Sequence, residues 1–411
     1  MNASAVEPLS GKSDGIATQE IVDEKSRSEG ASSATITDAD QDKSVIDVQQ
    51  IHVLDDVDTV VPNIADPATW PLIRNSKIID HIIKTAMGTK LSDETSTSSA
   101  AFAYKKALHD LGIRFTERLS NVYYHFNFIF SFSKIAKEQK KNLDIVHSFT
   151  KSIISKRKQY IEKYGSNFNE DNVGDNDDDD VYFKSKKKPA MLDLLLSAQN
   201  KGLIDNDGIQ EEVDTFVFEG HDTTAAALLF SLLCLANDKE IQTRIFTELD
   251  EIFGDSTRPP TMNDLSKMHY LDCCILETLR LYPPVHFIGR KLGESVTLSN
   301  YYVEKGTNVL IFIIDMHRRE DLFKDALKYN PDRFLPENSA GRHPFAFIPF
   351  SAGLRNCIGQ KFGMMEMKTC LSAILRRYRL EPVTRHEDVK FIPDLVLRAK
   401  PIYVKFFKRD K

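Results

Sequence analysis

The residues best suited to chemistry lie in the segment Phe347–Gly359, which presents a single cysteine just before an amphipathic helical pattern. That pattern predicts a helix over Ile358–Tyr378 and places Cys357 at the N-terminus of this helix. There the helix dipole and unpaired backbone N–H groups lower the pKa of a thiol and favour a metal-binding thiolate. A lone cysteine is more often a small buried apolar residue, so its neighbours have to decide between the two interpretations.

The neighbours of Cys357 supply what a flat, anionic cofactor would need. Gly353 and Gly359 are predicted to let the backbone turn tightly and approach such a ligand closely. Arg355 supplies a fixed cation for an anionic group such as a haem propionate. We interpret Cys357 as a haem thiolate ligand, although these residues alone leave the buried apolar cysteine as the more frequent case.

A second group of polar residues, Glu219, Asp222 and Thr223, interrupts an apolar pattern that predicts one long helix from Glu211 to Ala236. At spacings of three and four residues, these side chains are predicted to share one helix face. On a surface helix such a stripe would simply be solvated. Its apolar flanks favour burial instead, where a polar patch is costly unless it is paired or used in chemistry.

A third group of candidate residues is the pair Glu277 and Arg280. It lies in a predicted helix that must end by Tyr282, because residues before proline avoid helical geometry. An exposed pair of this kind is common and contributes little to stability. The aliphatic residues around it imply a buried pair, which needs a further partner.

The spacing Phe-x-x-Gly-x-Arg-x-Cys-x-Gly resembles the haem-binding signature of the cytochrome P-450 monooxygenases, and the other segments follow in the order of that family. The resemblance implies a mainly α cytochrome P-450 fold, a helical haem-thiolate domain with small β-sheets, which binds haem b. Cys357 would be the axial ligand of the iron, and Phe350 and Arg355 would shape and hold the haem environment. Asp222 and Thr223 would manage protons for iron-bound oxygen.

The same resemblance implies two further roles. Arg290 follows a strand-like segment and matches a family position that often contacts a propionate; a surface arginine is the alternative. Arg333 would complete a structural triad with Glu277 and Arg280, which fixes the core behind the haem.

Glu219 followed by His221 is similar to family 4, the fatty-acid ω-hydroxylase branch, in which the matching glutamate often forms an ester with a haem methyl group. Glu219 is the candidate for that link. The resemblance implies a monooxygenase that hydroxylates lipid-like or xenobiotic substrates with O2. Electrons would come from NADPH–cytochrome P-450 reductase, with cytochrome b5 as a further partner, at the cytosolic face of the endoplasmic reticulum membrane.

We assign residues 76–411 to a cytochrome P-450-like haem domain that contains a polar loop at residues 170–188, and residues 1–65 to an acidic tail. The first 60 residues hold 13 acidic and 4 basic side chains and no aromatic residue, which predicts disorder. Trp70 and Arg74 have the spacing of a family haem contact, but they lie too close to Thr85 to be assigned that role.

Composition limits the remaining possibilities. A chain of 411 residues with 41% hydrophobic content can bury a substantial core, and its net charge of −6 does not favour nucleic-acid binding. Five cysteines in so long a chain suit a reducing compartment. The longest apolar run, Ala225–Ala236, is shorter than the ~20 residues that span a bilayer.

Family members normally begin with a membrane anchor and several helices that we do not find, so we expect the chain to be N-terminally incomplete and leave a cytosolic location open. The alternative function is a catalytically inactive, truncated fragment that acts only by binding or has no function. Helices are further predicted over Ile78–Met87, Ala101–Leu119, Leu143–Tyr164 and Met191–Gln199, and β segments over Val296–Val303, Asn308–Phe312 and Asp394–Phe406.

Overall fold

The computed structural model describes residues 45–47, 82–88, 95–164, 189–392 and 394–409. Helix dominates these residues, which confirms the mainly α prediction. A short helical stretch covers residues 82–86. The longer chain of helices is α1 (Thr95–Ser120), α2 (Asn127–Ser131), α3 (Lys134–Tyr164), α4 (Met191–Asn200), α5 (Asn206–Asn237), α6 (Lys239–Phe253), α7 (Met262–Lys267), α8 (His269–Leu281), α9 (Ile313–His317), α10 (Pro336–Ser339) and α11 (Gln360–Leu375).

The strands form small antiparallel sheets, as predicted for this fold. They are β1 (Val45–Asp47), β2 (Phe287–Lys291), β3 (Val296–Leu298), β4 (Tyr301–Val303), β5 (Asn308–Phe312), β6 (Tyr378–Pro382), β7 (Phe391–Ile392), β8 (Arg398–Ala399) and β9 (Tyr403–Lys408). Strand β9 lies between β1 and β6, while β2 pairs with β5, β3 with β4 and β7 with β8.

Helix α5 is the central element because its two halves pack into different apolar cores. Its N-terminal half joins the core formed with α1, α3 and α4 through buried residues such as Val213 and Val217. Its C-terminal half joins the larger core formed with α6, α8, α11 and the sheet of β6 and β9, where Phe230 and Leu233 are fully buried. The polar segment Glu219–Thr224 therefore lies at the junction of the two cores.

Local sequence explains where these helices begin and end. The Asp205 carboxylate accepts the Gly208 N–H at the start of α5, and the Asp238 carboxylate accepts the Ile241 N–H at the start of α6. Helix α8 ends at Leu281, just before Tyr282, as expected from the following prolines. Helix α11 ends earlier than the predicted Tyr378, because that residue begins β6 and pairs with β9.

Several sequence expectations fall on residues outside the described ranges. These are the polar loop at residues 170–188, the residues Trp70 and Arg74, and most of the tail at residues 1–65. Within that tail Val45–Asp47 form an edge strand that pairs with β9. No helix in the part of the chain that the structure describes combines the length and the apolar character needed to cross a bilayer.

Candidate functional site

The loop that carries Cys357 is closed by backbone hydrogen bonds. The Cys357 N–H donates to the Phe350 carbonyl at 2.9 Å, and the Asn356 N–H donates to the Gly353 carbonyl at 3.1 Å. Gly353 has a φ of +81°, which other residues adopt only with strain. Gly359 has an ordinary φ of −85° and caps α11. The tight turn predicted for both glycines is therefore required only of Gly353.

Cys357 is exposed, whereas Cys234, Cys273, Cys274 and Cys370 are buried. The apolar side chains of Leu354 and Ile358, on either side of this thiol, are also exposed, and Phe362 in the first turn of α11 is partly so. Clustered apolar side chains around an exposed sulfur are typical of a surface that an apolar ligand covers. A Cβ atom at Gly359 would lie 3.8 Å from the Cys357 sulfur, so glycine keeps space free beside it.

The pKa of the Cys357 thiol differs from what the sequence predicts. Partial burial and the charge of Glu219 raise the pKa of Cys357, while the Gly359 N–H acts in the opposite direction and lowers it. The expected lowering of the pKa by the helix N-terminus was therefore wrong, because desolvation outweighs that single N–H group. Metal coordination, rather than the helix, would have to hold the thiolate form.

The polar residues of α5 are divided between two environments. Glu219 is exposed, and the Thr223 hydroxyl donates to the Glu219 backbone carbonyl at 2.6 Å. Although Glu219 is exposed, desolvation by the groups around its carboxylate, followed by the charge of Glu212, raises its pKa. Asp222 is instead buried, and both of its carboxylate oxygens accept hydrogen bonds from Arg398, at 2.7 and 2.8 Å. Asp222 and Thr223 make no side-chain hydrogen bond with each other among the described residues.

Arg398 connects α5 to α1 through a chain of charged groups. Its Nε donates to the Asp394 carboxylate at 2.6 Å, and the same carboxylate lies 3.4 Å from Nδ1 of His109. Burial lowers the pKa of Arg398, but Asp222 and Asp394 outweigh it, so that the pKa is raised. Sequence reasoning missed this network, because Arg398 is 176 residues from Asp222 and no short-range pattern marks it.

His221, which supports the family 4 likeness, faces the protein interior. It is buried, its Nδ1 has no hydrogen-bond partner among the described residues, and burial with the nearby cations Lys105 and Arg398 lowers its pKa to about 3. This histidine is therefore neutral at physiological pH.

Two arginines predicted to bind anionic groups have no carboxylate partner among the described residues. Arg290 on β2 is exposed and donates from Nη2 to the Ser351 hydroxyl at 3.2 Å, so it lies beside the cysteine loop. Arg355 is exposed within that loop. Free guanidinium groups near Cys357 could hold the carboxylates of a bound cofactor.

The structure brings Glu277, Arg280 and Arg333 together. Arg280 binds both oxygens of Glu277, at 2.7 and 2.8 Å, and neither side chain is accessible to solvent. Arg333 approaches the same carboxylate at 3.4 Å. Arg280 also donates to the backbone carbonyls of His317 and Ala326, at 2.8 and 2.7 Å, so these two buried charges are fully hydrogen-bonded.

His317 connects this triad to the cysteine loop, a link that sequence reasoning missed. Its Nε2 accepts the Ile348 N–H at 2.9 Å, while its backbone carbonyl accepts from Arg280. Its ring lies 5.1 Å from the ring of Phe347, and burial and the charge of Arg280 lower its pKa to about 4. The imidazole is thus a neutral acceptor that fixes the start of the segment leading to Cys357.

These features fit a large, flat, anionic cofactor that takes one sulfur ligand. An exposed thiol lies among exposed apolar side chains, guanidinium groups without carboxylate partners lie nearby, and the charge of Glu219 on α5 reaches the thiol. Cys357 could ligate its metal, while Arg290 and Arg355 could bind its acidic groups.

Comparison with known proteins gives concordant matches. A family model described as Cytochrome P450 matches residues 74–406. The chain is 41% identical over 335 residues to Cytochrome P450 4c3 of Drosophila melanogaster and 40% identical over 335 residues to Cytochrome P450 4V2 of Homo sapiens. It is 39% identical over 334 residues to Probable cytochrome P450 4ac1 of Drosophila melanogaster. Each match covers 81% of this chain, which spans 62% of the length of each of these curated relatives.

Proposed function

Because the chain belongs to the cytochrome P450 family, we propose that it acts as a haem-thiolate monooxygenase. The proposed reaction inserts one oxygen atom of O2 into a C–H bond of the substrate and reduces the other oxygen atom to water. The single observation that carries the proposal is the exposed Cys357 thiol within a loop that bears the family's haem-binding signature. The cofactor of this family is haem b, and when bound it supplies the oxygen chemistry.

The residues around Cys357 have separate roles in this proposal. Cys357 would ligate the iron of the bound cofactor and would supply electron density to it. Arg290 and Arg355 would hold the propionates and orient the cofactor, and the exposed apolar side chains beside the thiol would exclude water from it. Phe350 accepts the Cys357 N–H through its carbonyl, which holds the sulfur in place. Gly353 supplies the tight turn that the loop needs.

In this proposal, residues of helix α5 carry out the proton transfer. The Thr223 hydroxyl is positioned by its hydrogen bond to the Glu219 carbonyl and can pass on a proton from there. Asp222 is the proposed acid, and Arg398 holds its carboxyl group in place through hydrogen bonds to both oxygens. Glu219 is the proposed site of an ester bond to the haem.

The finer assignments rest on likeness to family 4. We propose lipid-like substrates, fatty acids in particular, with ω-hydroxylation as the reaction, and xenobiotics as the alternative substrate class. We further propose that NADPH–cytochrome P450 reductase supplies the electrons, with cytochrome b5 as an accessory donor, at the endoplasmic reticulum membrane. Family 4 names of the curated relatives support this proposal.

The reduced carbon-monoxide difference spectrum of the purified chain, reconstituted with hemin, tests the proposal. We expect a thiolate-type Soret band in the wild type and in Cys273→Ala, which removes a buried thiol of α8. We expect its loss in Cys357→Ala, because the iron would have no axial sulfur. A chain that folds without taking up haem would instead support the inactive fragment, and an intact band in Cys357→Ala would remove the ligand assignment.

A further inference from the structure

A surface cavity of about 630 Å³ lies beside Arg333 of the triad. Its wall includes Lys324, Arg342, His343 and the buried ring of Phe323. None of the residues Phe347–Gly359 lines it, so it is separate from the site built around Cys357. Its volume falls in the range of pockets that bind small organic molecules.

The carboxylates of this wall are already neutralised by arginines that are not part of it. The Asp321 carboxylate is bound by Arg319 at 2.5 and 2.8 Å. The Asp332 carboxylate is bound by Arg244 at 2.7 Å. The negative charges of Asp321 and Asp332 are therefore not available to neutralise the cations of the wall.

Arg342 is the cation without a carboxylate partner. Its Nη2 donates to the Arg333 carbonyl at 2.5 Å, and its guanidinium carbon lies 4.8 Å from the centre of the Phe334 ring and 5.2 Å from that of Phe323. No carboxylate of a described residue lies within ion-pair distance of it. Its Nε and Nη1 donate no hydrogen bond among those residues. An arginine held in this way offers a free fork of donors.

Glu277 cannot serve as that missing partner. Arg280 already occupies both of its oxygens, and Arg333 approaches one of them. Burial and the positive charges of Arg280 and Arg333 lower the pKa of Arg342, whereas the negative charge of Glu277 acts to raise it. Arg342 therefore lies near two other guanidinium groups and has no ion-pair partner among the described residues, and an anion in the cavity would relieve this repulsion.

We propose that this cavity binds a small molecule that carries a phosphate or carboxylate group, with Arg342 as its principal partner. Lys324 adds a second positive charge, and the exposed side chain of Leu322 provides an apolar surface for the remainder of the molecule. A guanidinium fork matches the geometry of either oxyanion and binds it through parallel hydrogen bonds. Because Ala346 lines the cavity and Phe347 begins the signature segment, the bound molecule also stabilises the chain that leads to the cysteine loop.

The test uses the melting temperature of the full chain, which does not depend on activity. Inorganic phosphate, acetate and chloride are titrated separately at matched ionic strength, so that general screening is the same in each series. The variants are Arg342→Gln and Lys324→Gln, with Arg385→Gln as the control, because Arg385 is exposed and does not line the cavity.

We expect phosphate, acetate or both to raise the melting temperature of the wild type and of Arg385→Gln more than chloride does. The responding anion identifies the acidic group that the cavity takes. Arg342→Gln should weaken binding about tenfold through loss of a charge-assisted hydrogen bond. The proposal is overturned if neither oxyanion exceeds chloride, or if Arg342→Gln binds like the wild type. Should Arg342→Gln fail to fold, wild-type binding by Lys324→Gln overturns it.

Discussion

The Asp222 carboxylate lies 2.7 Å from Nη2 of Arg398, although the two residues are 176 positions apart in the chain. Asp222 belongs to the central helix α5 and Arg398 to the short strand β8, so their contact joins the middle of the fold to its C-terminal part. Both oxygens of the carboxylate are occupied by one guanidinium group. A proton that is transferred to or from the Asp222 carboxyl group would therefore move next to a fixed positive charge.

A double-mutant cycle should reveal this coupling. We expect Asp222→Asn and Arg398→Gln each to lower the free energy of unfolding, because each leaves the other charge partly buried without its partner. The double variant should lose less than the sum of the two, by about 1–2 kcal/mol. Denaturant unfolding of the four proteins gives the coupling energy, and strictly additive losses would show that the contact has no energetic weight.

The buried triad should matter far more than an exposed pair with the same spacing. Glu277→Gln should cost about 3–5 kcal/mol of unfolding free energy, since Arg280 would be left buried without a countercharge. The matched control is Glu117→Gln, which breaks the partly exposed pair with Arg114, also three residues apart. Its urea midpoint should hardly change. Equal losses in the two variants would contradict a special role for the triad.

His317 should make the folded chain sensitive to acid. Its pKa is about 4 in the folded protein and 6.5 in its ordinary state. Between these values the unfolded chain binds the proton and the folded chain does not. His317 therefore makes its full contribution to the free energy of unfolding above about pH 6.5. This contribution falls as the pH decreases, and the loss amounts to about 3 kcal/mol at pH 4.

The variant His317→Gln isolates this effect, because a glutamine oxygen can still accept the Ile348 N–H but cannot be protonated in this range. We expect a shallower fall of unfolding free energy between pH 6.5 and 4 than in the wild type. His269→Gln, at an exposed position, should keep the wild-type slope. A wild-type slope in His317→Gln would assign the acid sensitivity to other groups such as His221.

The two glycines of the cysteine loop should respond differently to alanine. Gly353→Ala forces a Cβ into a backbone with φ of +81° and should cost about 1–2 kcal/mol of unfolding free energy. Gly359→Ala has no such strain, and its Cβ would make only an ordinary contact at 3.8 Å with the Cys357 sulfur. Urea midpoints compare the two variants, and a larger loss in Gly359→Ala would refute this distinction.

The proposed ester bond can be tested at Glu219. After reconstitution and turnover, acid denaturation and mass spectrometry should find haem attached to the wild-type chain and to Glu211→Gln, an exposed control on the same helix. In Glu219→Gln the haem should be released completely, because an amide does not supply the carboxylate oxygen of the ester. Haem that leaves the wild type entirely would exclude the covalent link.

Much of the site could be predicted from sequence because its determinants are local. The spacing of the segment Phe347–Gly359 made Cys357 the candidate ligand, and the apolar neighbours of Glu277 and Arg280 indicated a buried pair, which the structure shows. The apolar run Ala225–Ala236 and the segment leading into it predicted the long helix α5, since a helix forms its backbone hydrogen bonds within one segment and needs no distant partner. The sequence also predicted β5 at its observed bounds.

Only the tertiary structure decided which groups those residues meet. The pairing of Asp222 with Arg398 and the acceptance of the Ile348 N–H by His317 join parts of the chain far apart in sequence. The pKa of Cys357 likewise depends on burial and on the charge of Glu219, neither of which the helix N-terminus alone reveals. Sequence determines local conformation through steric and hydrogen-bonding preferences, whereas desolvation and charge pairing depend on packing between distant segments.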